Sequence, residues 1–316
     1  MGESGSAVVV RGPVPAPRRG GGWLTRDRVL GPLLLAPAVL YVFLLVGIPL
    51  LLALYLSVSS ATTGSPTLQF VGLTNFLRAV NSTIFRSALT NTLIFTFVSQ
   101  ALVIVLSTVL ALALEQRFPG RGVVRFLILL PWAAPIALGA IGWKWMFDSL
   151  YSVVNWMLRA VHILSPTQFP QWLGVPSLAM AAIIIVHVWR MLPFSAVVIL
   201  AGLTSIPQEI LDAAAVDGAG YVQRLFHVIL PMLSPIALIA ILFGTVFTFT
   251  DMGVVYILTS GGPFNSTHVL ASWAFQVGII AGDLAQGAAV ALFLLPVLLA
   301  GAVLMLKLAG AAETGV

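Results

Sequence analysis

No cysteine occurs in this chain of 316 residues, which excludes disulfides, thiolate zinc sites, iron–sulfur clusters and thiol nucleophiles and leaves the redox compartment open. Charge is scarce too. Asp, Glu, Lys and Arg supply 8% of the residues, where a soluble domain carries about a quarter. The four histidines, at 162, 187, 227 and 268, fall in different segments, and no H-E-x-x-H or G-x-S-x-G run is present. The usual hydrolytic constellations and clustered metal sites therefore find no support. A G-x-x-x-x-G-K-[ST] loop is missing as well, so this chain encodes no phosphate cradle of that kind.

What fills the chain is apolar: 59% of its residues are hydrophobic. A soluble fold of that composition would carry apolar surface it could not cover, so the composition reads as an all-α protein crossing a membrane several times. Six stretches reach the ~20 residues a membrane helix needs: 30–56, 88–114, 123–147, 177–204, 232–258 and 286–309. Prolines at 32, 37, 49, 131, 135, 193, 235 and 296 lie inside or at the ends of them. In lipid such breaks are tolerated where neighbouring groups re-satisfy the backbone. The run from Val29 to Leu56 is about twice the length of a signal-peptide core, so it reads as the first span.

Lys and Arg set the orientation. Residues 1–28 read as a disordered basic tail, and its cluster directly before an apolar run marks a cytoplasmic flank, not a nucleic-acid surface. With that tail inside, cytoplasmic segments hold ten: Arg11, Arg18, Arg19, Arg26, Arg28, Arg117, Arg121, Arg125, Arg224 and Lys307. The other side holds Arg78, Arg86, Lys144 and Arg159, and Arg190 lies within a span. Ten against four places both termini, including 311–316, in the cytoplasm of a multi-pass cytoplasmic-membrane protein. The domain 29–310 then has external connections at 57–87, 148–176 and 259–285 and a cytoplasmic loop at 205–231. Within 148–176 a short amphipathic helix is expected along the surface, with Trp156 and Trp172 at headgroup level.

The cytoplasmic loop is unusually structured for a connection. In "IPQEILDAAAVDGAG", Pro207 is placed to begin a helix, Glu209 and Asp212 occupy its first turns, and three alanines keep its surface small. Gly218 ends that helix. "YVQRLFHVILP" then starts a second one, which leads into the fifth span at Pro231. Physical chemistry alone leaves two readings open, a solvated connection or a small-faced helix built to seat in a groove on another protein.

The stretch resembles the EAA loop of binding-protein-dependent ABC importer permeases: an acid, two alanines, three residues, glycine, nine residues, then Ile-x-Leu-Pro. Here those positions are Asp212, Ala213, Ala214, Gly218, Val228, Leu230 and Pro231; Asp212 replaces a glutamate and Val228 an isoleucine. "FVGLTNF" at 70–76, "WRMLPF" at 189–194, "AGLTSIP" at 201–207 and "YILTSGGPFNST" at 256–267 resemble further family blocks in the expected order. The maltose-permease-like branch is the most similar. The resemblance implies a type I ABC importer permease fold and a coupling helix that docks on an ATP-binding subunit through Glu209, Asp212, Ala213, Ala214, Asp217, Gly218 and Pro231. It also implies a second permease subunit, two ATP-binding subunits that hold ATP and magnesium, and an external solute-binding protein. No cofactor or metal is then expected on this chain, and no catalysis. The implied substrate is a carbohydrate, a sugar or a polyol such as glycerol 3-phosphate.

An ionisable group at bilayer depth costs several kcal/mol unless it faces a cavity or a partner. His187 and Arg190, three apart on one helix face, and Asp251 in the fifth span are such groups. Arg190 and Asp251 read either as a buried pair fixing helix register or as contacts for sugar hydroxyls on the path. Trp189 reads as a stacking surface or as packing; Asn91 and Thr248 read as substrate contacts or as helix-to-helix hydrogen bonds. "TSGGPFNST" reads as a flexible external loop, also placed to face a binding protein. An ion-coupled secondary transporter is the rival reading, although no internal repeat supports it; an intramembrane enzyme is a weaker one.

Overall fold

A computed structural model describes residues 27–65 and 68–314. The expected tail lies outside the described residues up to position 26; Asp27 and Arg28 already belong to the first helix. The described residues divide into two compact units, one up to residue 52 and one from residue 53 on. The first unit contains α1 (Asp27–Val42) and the first half of α2 (Ile48–Ser57), joined by a π-helical turn at Phe43–Gly47. Pro49 has no N–H to give the carbonyl one turn back, and the helix widens just before it. From Gly31 to Ser57 the helix is long and apolar enough to cross a membrane.

The second unit is also helical, with two isolated β-bridges (Ser59 with Phe70, Thr62 with Ser65) among the described residues. A short α3 (Thr74–Asn81) precedes α4 (Thr83–Glu115), whose start is capped by Ser82 Oγ accepting from Phe85 N–H. The third crossing is broken: α5 (Arg121–Ala133) and α6 (Ile136–Met146) meet at 92°. This corrects the continuous span expected at 123–147. Pro135 cannot donate to the carbonyl of Pro131, so the ladder fails there. The pair still crosses. At one end Arg125 Nη2 donates to Leu114 O near the end of α4, and at the other Phe147 packs on Trp172, just ahead of the next span.

After α7 (Val153–Ala160), which forms within 148–176 as expected, α8 (Pro176–Ser205) runs through the centre of the unit. Trp156 is exposed, but Trp172 is folded inward and donates its Nε1–H to Asn155 Oδ1 at 2.7 Å. α9 (Gln208–Val216) and α10 (Tyr221–Arg224) form the loop; a π turn, Leu225–Ile229, leads into α11 (Leu230–Thr250). The fifth crossing therefore starts at Tyr221 and stops at Thr250, not at 232 and 258. Residues Gly253–Thr259 form a separate α12, because Asp251 leaves the helical conformation at the end of α11 (ψ 108°). α13 (Leu270–Phe275), a π turn, α14 (Leu284–Leu292) and α15 (Leu294–Thr314) complete the chain. α15 continues through most of the expected tail at 311–316, whose last two residues lie outside the described ones.

Between membrane helices the hydrophobic effect gives little, since lipid is as apolar as leucine, so close packing must hold them. The long α4–α8 contact supplies it. α4 buries Ser99, Ser107 and Ala111, and α8 buries Ala179, Ala182, Ser195 and Ala196, while Ala88 and Thr92 of α4 meet Leu270 of α13. Larger side chains, Phe95, Ile183, Val186, Val255 and Leu258, fill the core beside that seam.

Candidate functional site

Beside the break in α5–α6, three ionisable side chains converge. Asp251 Oδ2 accepts from Arg190 Nη1 at 3.1 Å and lies 3.0 Å from His187 Nδ1. Thr248 Oγ1 lies 2.7 Å from Gly244 O and 2.8 Å from His187 Nε2. The other carboxylate oxygen of Asp251 accepts from Gly253 N–H at 2.8 Å and so caps α12. Asp251 thus uses both oxygens inside the protein.

Exposure separates the members of this cluster. The side chain of His187 is 0% exposed and that of Asp251 7%, while Arg190 keeps 25%. Arg190 still has guanidinium N–H groups to offer outward. Trp189 is 37% exposed, its ring edge-on to Trp143 at 5.6 Å and resting over Gly139, where an added Cβ would stand 3.4 Å from it. Thr248 is buried behind His187. Asn91 lies elsewhere: both its amide hydrogens go to the external loop, to Ser266 O at 2.7 Å and His268 O at 3.0 Å. The structure brings together four of the five expected substrate residues and leaves Asn91 apart. His187 is the hub, a role its spacing of three from Arg190 hinted at. Pro131, Ala134 and Pro135 close the crevice over Arg190, and the sequence signal for that was the two prolines four apart.

That crevice is about 10 Å³. A larger groove of about 370 Å³ between α4, α11 and α15 is lined almost wholly by apolar side chains and does not match a hydroxyl-rich solute. Outside the spans, Asp148 is held below the usual carboxylate range by the N–H groups of Tyr151 and Leu150, and burial pushes His268 below the usual histidine range. The turn at 256–267 carries several hydrogen bonds. Thr267 Oγ1 donates to Gly262 O at 2.6 Å, Thr92 Oγ1 accepts from Leu270 N–H at 2.8 Å, and Phe264 stands 95% exposed at its tip.

The second site is the loop between the fourth and fifth crossings. α9 buries none of its residues. Glu209 lies in its first turn, Asp212 accepts from Gln208 Nε2 at 3.0 Å, and Ala213 and Ala214 follow on the same helix. Asp217 is its C-cap, and Gly218 takes φ +84°, the left-handed conformation that glycine adopts most readily. An added Cβ at Gly218 would meet nothing within 4 Å, so the space there is open. Gln223 Oε1 accepts from Gly220 N–H at 3.1 Å as α10 begins, and Pro231 occupies the first turn of α11.

The family model described as "Binding-protein-dependent transport system inner membrane component" matches residues 103–309. The trehalose/maltose transport system permease protein MalF of Thermococcus litoralis is 34% identical over 282 residues, 89% of this chain and 94% of that protein. The sulfoquinovosyl glycerol transport system permease protein SmoG of Agrobacterium fabrum is 33% identical over 267 residues, 84% of this chain and 85% of its own length. Among solved structures, a chain of a bacterial ABC transporter involved in import of the acidic polysaccharide alginate superposes with a TM-score of 0.76 at 20% identity, over 91% of this chain and 97% of that one. At that identity the likeness is one of fold.

Proposed function

The chain belongs to the family of binding-protein-dependent transport system inner membrane components, and from that premise we propose that it passes a carbohydrate across the cytoplasmic membrane, driven by ATP hydrolysed on partner chains. Its fold is that of a type I ABC importer permease, and such a subunit is not itself an enzyme. The carbohydrate class follows the two relatives, one named for trehalose and maltose and one for sulfoquinovosyl glycerol. A polyol such as glycerol 3-phosphate has the same hydroxyl chemistry. Substrate is delivered by an external binding protein and moves by alternating access.

The observation that carries the coupling is the projecting α9–Gly218–α10 unit. Nine helical residues with none buried, ended by a left-handed glycine with open space around it, make a poor independent structure and a good insert. Glu209, Asp212, Ala213, Ala214 and Asp217 offer small and acidic surface to an ATP-binding subunit. Pro231 anchors the exit, so a push on α9 reaches α11 and the cluster at Asp251. In this reading both termini are cytoplasmic.

At the other site, Arg190 donates to sugar hydroxyls and Trp189 stacks on a ring face, while Asp251 and Thr248 hold them in place. Asn91 holds the external loop. A crevice of about 10 Å³ is far short of the about 300–1,000 Å³ usual for small-molecule sites, so a second permease subunit supplies the other wall of the chamber.

The test is Gly218→Leu in the reconstituted complex. Within this chain the replacement is resisted only by the positive φ, roughly 1–2 kcal/mol. Against a seated ATP-binding subunit it blocks closure. Binding-protein-stimulated ATPase should fall by at least about tenfold while the binding protein still holds sugar. Normal stimulation and uptake in the mutant would reduce the loop to a connection.

A further inference from the structure

At the end of the bundle from which α9 projects, two cavities adjoin. One, about 510 Å³, is walled by Glu115, Gln116 and Arg117 beyond α4 and by Gln208, Tyr221 and Arg224 of the loop. The other, about 430 Å³, shares Gln116 and Tyr221 with it and continues along α4 past Ala113, Leu112 and Val109, neighbours at helical spacing. The chemistry changes between them. The first is lined by guanidinium, amide, phenol and carboxylate groups with Leu211 and Ile229 among them; the second is a mostly apolar trough along α4.

The first cavity also holds the Glu115 carboxylate, but among the described residues it forms no ion pair with either arginine. Neither Arg117 nor Arg224 has a side-chain hydrogen bond or ion pair among the described residues, and the Nε of Arg224 is buried without a partner. Nearby, Arg121 and Arg125 give their Nη groups to the backbone oxygens of Glu115 and Leu114 and bring two more positive charges. A buried guanidinium nitrogen without an acceptor carries an uncompensated desolvation cost, so such a group calls for an anion.

Depth indicates which anion. α4 has 33 residues, about 50 Å at 1.5 Å each, against a hydrocarbon core of about 30 Å, so its last turns lie at headgroup level. A cationic polar chamber at that level, opening into an apolar trough, complements an anionic head on a hydrocarbon tail. A carboxylate from a partner protein would answer the arginines but leave the trough unfilled.

We propose that this is a binding site for an anionic phospholipid, with its phosphate between Arg117 and Arg224 and one acyl chain along Val109, Leu112 and Ala113. The planar donor forks of two arginines match phosphate oxygens better than ammonium groups do. The bound lipid ties the end of α4 to α10 and so braces the base of the α9 projection. The site goes beyond the transport reading, which it uses only in naming the partner chains of the test.

Phosphatidylglycerol and phosphatidylcholine are titrated into the delipidated full complex, and binding is read by thermal unfolding and by native mass spectrometry. Wild type should retain phosphatidylglycerol and gain thermal stability from it, and phosphatidylcholine should do neither. Arg117→Gln with Arg224→Gln should weaken the phosphatidylglycerol effect about thirtyfold, at about fivefold for each charge. Arg117→Lys with Arg224→Lys should keep most of it, and Lys307→Gln, which removes a cation from α15, should change nothing. Ala113→Trp, which fills the trough, should lower retention of the lipid with both arginines in place. Equal binding by wild type and the glutamine pair overturns the proposal. So does equal stabilisation by soluble glycerol 1-phosphate, which would make it a site for free phosphates. So does phosphatidylglycerol binding that appears only once the ATP-binding subunits are stripped away, which would give the arginines to a partner's acids.

Discussion

The two ends of residues 53–316 are built on different terms. At the end bearing α3, α7 and α13, side chains reach across stretches of sequence to hold loop backbone. Asn75 donates to Ser57 O and Ser59 O at 2.9 and 2.8 Å, Asn91 donates to Ser266 O and His268 O, and Thr63 Oγ1 donates to Gly282 O. At the end bearing α9, the side-chain bond from Gln208 to Asp212 stays within the helix, and Arg117 and Arg224 have no side-chain partner among the described residues. The contrast separates surfaces that complete themselves from surfaces left for something else to complete. A loop that must present a fixed shape to solvent is pinned from within. A loop that must transmit another chain's movement keeps its contacts for that chain.

The most severe way to break the self-completed side is at its deepest point. Asp251→Asn keeps an Oδ1 acceptor for Gly253 N–H but leaves Arg190 and His187 without their carboxylate. Stranding buried partners costs about 3–5 kcal/mol, and the partial exposure of Arg190 puts this case near the lower figure. Thermal unfolding of the purified complex should show the loss. Adding Arg190→Met should recover most of the stability while uptake stays low and basal ATPase persists, because Arg190 is the member with donors left for a sugar. Near-normal uptake by the double mutant would remove Arg190 from the substrate path.

Much of this architecture was legible in the residues. Runs of ~20 apolar side chains locate every crossing, since in lipid such a run has few alternatives to a helix. The breaks were harder to read. Prolines are tolerated in several spans here; Pro193 lies inside a continuous α8, whereas Pro135 ends one helix and starts another. Trp143 and Trp189 pack edge-on beside the bend, a contact that the residues around Pro135 do not by themselves reveal. The end of α11 had a clearer signal, an acid followed by Met252 and Gly253, where a carboxylate can cap the next helix. Arg190 and Asp251 stood out because charge is rare in a span. Asn91 was misleading for the same reason: a polar residue among apolar ones invites a substrate role, while the carbonyls that occupy it are about 175 residues further on and are reached only through the fold.

That residue offers the next test of the contrast. Asn91→Ala removes two hydrogen bonds to the external turn and leaves two carbonyls unanswered, a loss of about 2 kcal/mol at about 1 kcal/mol per bond. If Asn91 only pins the loop, the Tm falls while the apparent affinity for sugar in uptake assays is unchanged at temperatures where the complex stays folded. A large rise in the sugar concentration needed for half-maximal uptake, with Tm intact, would return Asn91 to the substrate path.

The smallest effect expected comes from His268, the residue whose backbone Asn91 holds. Its ring is 1% exposed, with Nδ1 3.1 Å from Ser272 Oγ and Trp273 packed alongside, and no carboxylate faces it. Burial therefore favours the neutral ring and lowers its proton affinity in the folded protein below the usual histidine value. The sign follows from which state binds more protons. Between the lowered value and the ordinary ~6.5 the unfolded chain holds the proton and the folded chain does not, so stability is whole above ~6.5 and drains as the pH falls through that window. One proton limits the slope to about 1.4 kcal/mol per pH unit, so half a unit removes at most about 0.7 kcal/mol. His268→Asn should flatten the dependence of Tm on pH between 6.5 and 6.0, at some cost in absolute stability from lost packing. An unchanged slope in that variant would mean that the external turn opens before the ring is protonated, and that this end of the molecule is less firmly self-completed than its hydrogen bonds indicate.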